Sequence, residues 1–311
     1  MRTANIAAPT PAISIPFPLL VAVFCLLWAS AFSVAKIAIA DGPPLFLLTA
    51  RFLIAGALML AAAAIHGVSL RLAPRDVALF AVLGIANQAA YLGLTYIGLR
   101  GISSGLSALI ISANPVLTAV LAAMFLNERM TWRKAAGLAL GVGGVAFVVG
   151  SRLSGGADHL AGIALTIAAL ISLVGGTILF KKFAPSGEIW VGTGVQSLAA
   201  GLALLPFALA FESPADVVPT WRLLASFAYL TVMVSVFGYL LWFYLLTVSG
   251  ATAASSYHFL MPPLGMLFGW LLLGEHVSPA DLAGIVPVAV GIYLVTRPAP
   301  STARTRATRS R

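Results

Sequence analysis

The chain has 311 residues, of which 60% are hydrophobic and only 9% are charged, and its mean hydropathy is +1.03. Soluble domains carry roughly 25% charged residues, so this composition excludes a soluble globular protein and indicates an integral membrane protein. The net charge of +9 does not require a nucleic-acid partner, because the basic residues stand in predicted loops and in the C-terminal tail. We therefore expect a lipid bilayer as a partner and no nucleic acid.

Ten apolar segments follow one another along the chain, each about long enough for a helix that crosses the hydrocarbon core. These predicted spans, numbered one to ten, are 17–40, 45–66, 76–97, 102–126, 132–150, 160–180, 189–211, 221–246, 251–273 and 280–296. Residues 1–16 are rich in Ala and Pro, and residues 298–311 form a basic tail rich in Ser and Thr. Both termini are predicted to be disordered.

A sequence pattern occurs twice, at a constant offset of 147 residues and without a gap. The matched pairs are Pro115 with Pro262, Glu128 with Glu275, Gly137 with Gly284, and Gly144 with Gly291. The offset predicts two repeats, 17–150 and 151–297, of five helices each. Because five is odd, the second repeat enters the membrane upside down relative to the first. The predicted fold is all-α, with ten transmembrane helices arranged as two inverted five-helix repeats.

The Lys and Arg residues predict how the helices are oriented. With the N-terminus inside, 13 of the 18 fall in the loops and termini on that side, and five fall on the other side. Cytoplasmic loops carry an excess of positive charge. Both termini are therefore predicted to lie in the cytoplasm.

Spans one and two each carry a basic residue close to the predicted outer surface. In span one, either Trp28 packs inside the bundle and Lys36 extends to the interface, or this face lines a cavity. In span two, Arg51 lies one or two turns inside the membrane, where an unpaired charge is costly. We expect a structural partner for it, such as Asp41 or a carbonyl at a helix end.

Span three has the most polar midsection of the first half. Asn87, Tyr91 and Thr95 are spaced at i, i+4 and i+8, with Gln88 beside them, so one stripe presents amide, phenol and hydroxyl groups. Unpaired amides are costly in hydrocarbon, so these groups face either hydrogen-bonding partners on other helices or a substrate cavity.

Span eight contains the corresponding stripe of the second half. The repeat offset relates Gln88 to Ser235, and Tyr239 and Trp242 follow on the same face at i+4 and i+7. Aromatic stripes commonly serve packing, but the correspondence with span three favours a shared cavity.

Spans four and nine contain the paired prolines. Pro115 follows Ser112 in span four, and Pro262 follows Tyr257 and His258 in span nine. Proline interrupts a helix, and paired interruptions in inverted repeats indicate a binding site and a hinge. His258 either forms hydrogen bonds in a purely structural role or carries a proton that is coupled to transport.

The remaining repeated residues are predicted to support the structure. Glu128 and Glu275 stand at the corners after spans four and nine, where the amides of the next helix or a basic residue would stabilise a carboxylate. Gly137, Gly141 and Gly144 share one face of span five, which predicts close helix packing.

Several chemical motifs are missing from the sequence, including a zinc-binding His pair, a Walker loop, a nucleophile elbow and paired intramembrane carboxylates. We expect no cofactor, no metal and no enzymatic activity. An intramembrane lipid-modifying enzyme would depend on His258 with Ser255 and Ser256 and would have no orienting carboxylate. An exchanger of nucleotide sugars or phosphorylated metabolites would need several cations in its cavity, and only Lys36 and Arg51 are near.

The Trp-Ala-Ser-x-Phe run that leads to Lys36, the early Arg51 and the twice-repeated Pro…Leu-x-Glu…Gly pattern resemble the EamA family of the drug/metabolite transporter superfamily. The resemblance extends from about residue 19 to 296. It implies two inverted five-helix repeats around a cavity, and alternating-access transport, usually export, of amino acids or other small metabolites across a bacterial inner membrane. Val174 stands where a Trp often matches Trp28 in that family.

We predict that the cavity is built from aromatic residues and uncharged hydrogen-bond formers: Trp28, Asn87, Gln88, Tyr91, Ser112, Tyr239, Trp242, Tyr257 and His258. Pro115 and Pro262 are the predicted hinges. Such a lining suits a small amphipathic solute, for example an amino acid with an apolar side chain. The sequence makes no prediction of the oligomeric state.

Overall fold

The fold consists of apolar helices joined by short connections. The computed structural model describes residues 16–126, 130–154, 156, 158–183, 188–242, 244–245, 248 and 257–296. These residues contain no β-strand. Eight helices of 22 to 25 residues are long and apolar enough to cross a membrane, and two further apolar helices are shorter. The chain is a multi-pass membrane protein, and the predicted all-α fold class is confirmed.

We number the ten helices in chain order. They are α1 Phe17–Ala40, α2 Pro44–Ile65, α3 Pro74–Gly98, α4 Ser104–Phe125, α5 Trp132–Ser154, α6 Leu160–Phe183, α7 Ile189–Phe211, α8 Trp221–Trp242, α9 Met261–Leu273 and α10 Pro279–Thr296. They correspond to the ten predicted spans. The predicted beginning of span nine, 251–256, lies outside the described residues.

Local sequence explains where several helices begin. Pro stands in the first turn of α1, α2 and α9, where its missing N–H is not needed. The Ser103 hydroxyl accepts a hydrogen bond from the Leu106 amide at the start of α4, and the Thr220 hydroxyl accepts one from the Leu223 amide at the start of α8. Such side-chain caps satisfy amides that have no partner inside the helix.

Three helices depart from regular α geometry. Helix α3 contains a π-helical segment, Ile85–Ala90, and α8 contains a longer one, Tyr229–Gly238. The repeat offset of 147 residues places the first segment within the second. Helix α4 is interrupted by a turn at Ala113, one residue before the Asn114-Pro115 pair. π segments are rare overall but frequent at functional sites. Their recurrence in both halves therefore indicates that α3 and α8 contribute to a functional site.

Two pairs of corresponding helices, α2 with α7 and α5 with α10, run antiparallel, which is the arrangement expected of inverted repeats. The carboxylate of Glu212, which follows α7, accepts hydrogen bonds from the amides of Leu45 (3.1 Å) and Phe46 (2.9 Å) at the start of α2. Arg152 near the end of α5 donates from Nε to Asp281 at the start of α10, at 2.9 Å. The end of one helix therefore meets the beginning of its counterpart in both pairs.

Helices α5 and α10 pack closely through glycine. A Cβ atom at Gly137 would lie 2.6 Å from the carbonyl oxygen of Gly291, and one at Gly144 would lie 2.9 Å from that of Gly284. Only glycine fits at this separation. The packing surface predicted for span five is confirmed, and its partner is the equivalent glycine face of α10.

One end of the bundle carries the loops that follow α1, α3, α5, α7 and α9, and we call it the Asp41 end. The backbone oxygen of Asp41 accepts a hydrogen bond from the Val218 amide, and that of Gly101 accepts one from the His159 amide, each at 2.8 Å. These bonds join loops from both halves. The described chain begins and finishes at the opposite end.

Candidate substrate cavity

A small cavity with a volume of about 40 Å³ lies among α1, α2, α3 and α8. We call it the central cavity, and its lining residues are Trp28, Ala31, Phe32, Ala35, Arg51, Tyr91, Leu92, Thr95, Tyr96, Leu99, Val234 and Tyr239. On α1 these residues run from the middle of the helix towards the Asp41 end. Apolar and aromatic walls with a few convergent polar groups are typical of small-molecule sites.

Aromatic rings form one wall of the central cavity. The rings of Trp28 and Tyr239 meet edge to face, with centroids 5.4 Å apart and an interplanar angle of 72°. Phe24 packs against Trp28 with centroids 5.2 Å apart, and it also stacks on Trp242 at 5.4 Å. Trp242 thus supports the wall from behind instead of lining the cavity.

The π segments place the two tyrosines of the wall. Tyr91 directly follows the segment in α3, and Tyr239 directly follows the segment in α8. A π turn contains an additional residue, so it rotates the residues after it relative to those before it. This rotation explains why Tyr91 and Thr95 line the cavity while Asn87, one α-helical turn earlier in sequence, does not.

Asn87 and Gln88 lie within the π segment of α3. The Oδ1 atom of Asn87 is buried without a hydrogen-bond partner among the described residues, and it lies against Gly176 of α6. Gln88 is only 2% exposed. Ser112 is buried as well, and its hydroxyl donates to the Leu109 carbonyl at 2.6 Å within α4. The structure therefore does not bring these three residues into the central cavity.

Two predicted site residues belong to span nine, and only the first of them, Tyr257, has a described side chain. The half-buried Tyr257 packs with Phe24 and Leu245, and its carbonyl accepts a contact of 3.7 Å from the Cys25 thiol. The backbone of His258 belongs to the short 3-10 helix Tyr257–Leu260. The side chain of His258 lies outside what the structure describes, and its predicted role stays untested.

Both predicted hinge residues stand in the first turn of a helix that follows an interruption. Pro115 follows the turn at Ala113 in the middle of α4. Pro262 follows the 3-10 helix at the beginning of α9. In each place the proline needs no amide hydrogen bond, which allows the preceding chain to change direction.

Arg51 lies in the wall of the central cavity and is only 4% exposed. Its Nε donates to the Ser235 hydroxyl at 2.9 Å, and one terminal nitrogen donates to the Tyr96 hydroxyl at 2.7 Å. Ser235 belongs to the π segment of α8. The charge of Arg51 is therefore held by two neutral hydroxyl groups from α3 and α8, and it lies 5.8 Å from the ring centroid of Phe52.

Arg51 has structural partners, as expected, but they are Ser235 and Tyr96, and neither Asp41 nor a helix-end carbonyl is among them. Asp41 instead binds the Thr220 hydroxyl and Arg222, which is 3.0 Å away. The hydrogen bond from Thr220 and the charge of Arg222 hold the pKa of Asp41 below its ordinary value. Arg51 stands seven residues beyond the beginning of α2, roughly 10 Å deeper along the helix axis, so it does not meet Asp41. The depth of Arg51 along span two is the sequence signal that could have indicated its place in the cavity wall.

Glu275 secures the corner after α9. Its Oε1 lies 3.0 Å from Lys36 Nζ and accepts a hydrogen bond from the Ser104 amide at 2.7 Å. Its Oε2 accepts hydrogen bonds from the Ser104 hydroxyl at 2.9 Å and from the Gly105 amide at 3.2 Å. Its partners are thus a basic residue and the amides of α4, and not those of the next helix. Burial raises the pKa of Glu275, but the hydrogen bond from Ser104 and the charge of Lys36 outweigh it and lower that pKa. The equivalent Glu128 lies outside the described residues.

A second cavity, the end cavity, lies at the Asp41 end and is lined by charged and polar groups, among them Lys36, Arg100, Arg152, Asp158, His159 and Glu275. The consecutive residues Ala35 and Lys36 line the central and the end cavity respectively, and so do Leu99 and Arg100. Neighbouring residues at the ends of α1 and α3 therefore line different cavities.

The sequence model of the EamA-like transporter family matches residues 16–150 and, a second time, residues 160–297. The chain belongs to the EamA-like transporter family. The expected resemblance is confirmed, and the protein is a membrane transporter of the drug/metabolite transporter type.

Named relatives of this EamA-like chain are transporters. An "Uncharacterized transporter YvbV" of Bacillus subtilis is 30% identical over 89% of this chain and 90% of its own length. A "Probable terminal-alkyne amino-acid exporter" of Streptantibioticus cattleyicolor is 29% identical over 87% and 90%. An "S-adenosylmethionine/S-adenosylhomocysteine transporter" of Chlamydia muridarum is 28% identical over 86% and 88%.

A crystal structure is also similar to this chain, with a TM-score of 0.66 and 21% sequence identity. The match covers 89% of this chain and 94% of the other. This likeness shows a shared fold.

Proposed function

We propose that this EamA-like transporter moves a small amphipathic solute, such as an amino acid with an apolar side chain, outward across a bacterial inner membrane by alternating access. The observation that carries the proposal is the central cavity, where the rings of Trp28, Tyr91 and Tyr239 surround a space that also contains Arg51. Aromatic faces beside a polar anchor suit a solute with an apolar body and one charged or polar end.

The names of two relatives support small metabolites as the substrate class. One is named as an amino-acid exporter and the other as a transporter of S-adenosylmethionine and S-adenosylhomocysteine. The charge asymmetry of the loops supports cytoplasmic termini, which would put the Asp41 end on the outer side.

The Lys36–Glu275 corner serves as the outer gate in this proposal. It joins the ends of α1 and α9 to the beginning of α4 and lines the end cavity. Opening towards the outside would separate these helices, with Pro115 and Pro262 as the hinges. Ion pairs that form in one state and break in another are common in such transitions.

Exchange of nucleotide sugars or phosphorylated metabolites is the less favoured transport function. Arg51 is the single charged residue that lines the central cavity within the described part of the chain. Lys36 lines the end cavity and is bound to Glu275. A substrate with two or more phosphate charges would bring an excess of negative charge into an apolar site.

A growth screen tests the proposed function. The full chain is overexpressed in bacteria that grow in inhibitory concentrations of each amino acid or of a toxic amino-acid analogue. We expect rescue by the wild type for at least one compound with an apolar side chain, and no rescue by Trp28→Ala. The matched control is Trp132→Ala, because Trp132 is 74% exposed on α5. The absence of rescue for every compound at verified expression would contradict the proposal.

Proton coupling through His258 is a separate prediction. If His258 carries the coupled proton, His258→Gln abolishes the pH dependence of transport and leaves substrate binding intact. Unchanged pH-dependent transport by His258→Gln, measured in liposomes with an imposed pH gradient, would exclude this role.

A further inference from the structure

Arg51 is a buried cation without a counter-charge. The residue is 4% exposed, and its guanidinium group stays protonated under all physiological conditions. A buried charge is costly unless it is paired and hydrogen-bonded. Within the described residues no carboxylate forms an ion pair with Arg51.

The hydrogen bonds of Arg51 leave donors unused. A guanidinium group has about five N–H groups. One binds Ser235 and one binds Tyr96, so three have no acceptor in the part of the chain that is described. Both partners are neutral hydroxyl groups that orient the planar group without neutralising it.

The buried carboxylates at the Asp41 end are occupied by other partners. Asp41 binds Thr220 and Arg222, and Glu275 binds Lys36 and the amides at the start of α4. Asp281 binds Arg152, and Asp158 lies 3.7 Å from Arg152 and accepts a hydrogen bond from the Ser103 amide. Arg51 therefore lacks a counter-charge, whereas Lys36, Arg152 and Arg222 in the same half of the bundle each have one.

We propose that the substrate supplies the counter-charge: a single carboxylate group binds the unused N–H groups of Arg51 in the central cavity. This inference rests on the proposed function and specifies its substrate class as singly charged carboxylates with an apolar or aromatic body. The body contacts the rings of Trp28 and Tyr239, which lie in the wall of the same cavity.

The geometry of Arg51 favours a carboxylate over other anions. The planar fork of a guanidinium group matches two oxygens of a carboxylate or a phosphate, and it binds them with two parallel hydrogen bonds. One cation compensates one negative charge, whereas a phosphate monoester or a diphosphate carries more. Because Lys36 lines the other cavity and already has Glu275 as its partner, it does not supply a second charge here.

The test compares acids with their neutral derivatives in proteoliposomes that contain the full chain. The probes are radiolabelled L-leucine, L-methionine, L-phenylalanine and L-tryptophan, each measured in counterflow. The competitors are the same unlabelled amino acids, their amides, their methyl esters and inorganic phosphate. We expect the amide and the ester to compete at least about tenfold more weakly than the acid, because they lose a charge-assisted pair of hydrogen bonds.

Variants of Arg51 provide the second part of the test. In Arg51→Gln, acid and amide are expected to compete equally, and Arg51→Lys retains part of the preference for the acid. The matched control Arg75→Gln removes an exposed arginine at the opposite end and keeps the wild-type preference. The comparison within the wild type needs no variant, so it stands even if Arg51→Gln does not fold.

Each remaining outcome contradicts the inference in a different way. If acid, amide and ester compete equally with a transported probe, the carboxylate inference is wrong while the proposed function stands. If phosphate competes as well as the acid, the site binds anions in general. If no probe is transported and none raises the unfolding temperature of the purified wild type, the proposed function and the inference fail together.

Discussion

Lys36 and Glu275 join the two halves of the protein at the Asp41 end, with Nζ and Oε1 3.0 Å apart. Lys36 also donates to the Ile102 carbonyl at 2.6 Å, and Glu275 accepts the Ser104 amide at 2.7 Å. Helices α1, α4 and α9 are thereby held together by two partly buried charged groups.

Loss of the Glu275 carboxylate is expected to open the Asp41 end more often. Thr95→Cys in a Cys25→Ala background places a thiol in the central cavity, at a position that is 1% exposed. We expect a membrane-impermeant maleimide, added at the Asp41 side, to label this thiol several-fold faster when Glu275→Gln is added. Asp216→Asn, which changes an exposed carboxylate at the same end, serves as the control. Equal labelling rates in all three proteins would show that the corner does not gate access.

The lowered pKa of Glu275 predicts that the stability of the protein depends on pH. The folded-state pKa of this carboxylate is lowered, so its stabilising contribution is fully present above the unfolded pKa of about 4.3 and disappears as the pH falls through the folded value. We expect the difference in unfolding temperature between wild type and Glu275→Gln to be constant from about pH 7 to 5 and to shrink below about pH 4. Thermal unfolding of the purified proteins measures it. A difference that does not shrink in acid would contradict the assignment.

The glycine contact between α5 and α10 predicts opposite effects for neighbouring residues. A Cβ atom at Gly144 would meet Val288 and the Gly284 carbonyl at 2.8 and 2.9 Å, whereas one at Gly143 would meet nothing within 4 Å. Gly144→Ala should cost about 1–3 kcal/mol of unfolding free energy, as overpacking does. Gly143→Ala should be neutral or stabilise by up to about 1 kcal/mol, because Ala favours the helix. Similar unfolding temperatures for both variants would contradict the packing described for this helix pair.

The helices themselves could be predicted from sequence, because a run of about 20 apolar residues has few alternatives in a bilayer. The offset that relates Gly137 to Gly284 also located the close packing of α5 with α10. Both inferences depend on composition and spacing, which are local properties of the chain.

The residues that line the central cavity could be predicted only in part. Trp28, Tyr91 and Tyr239 line it, but the π segments rotate α3 and α8 away from the uniform helical spacing that grouped Asn87 with Tyr91. No simple residue pattern marks a π segment. The partners of Arg51 come from two other helices, so spacing within span two could not reveal them.

The most direct test of the central claim, that a solute is carried through the central cavity, is counterflow of labelled L-phenylalanine and L-leucine in proteoliposomes. We predict that Trp28→Ala and Tyr239→Ala lower the rate about tenfold, equivalent to ~1.4 kcal/mol of lost contact, while Trp132→Ala on the exposed face of α5 keeps the wild-type rate. Equal unfolding temperatures would show that the variants remain folded. Wild-type transport rates in both Trp28→Ala and Tyr239→Ala would contradict the account.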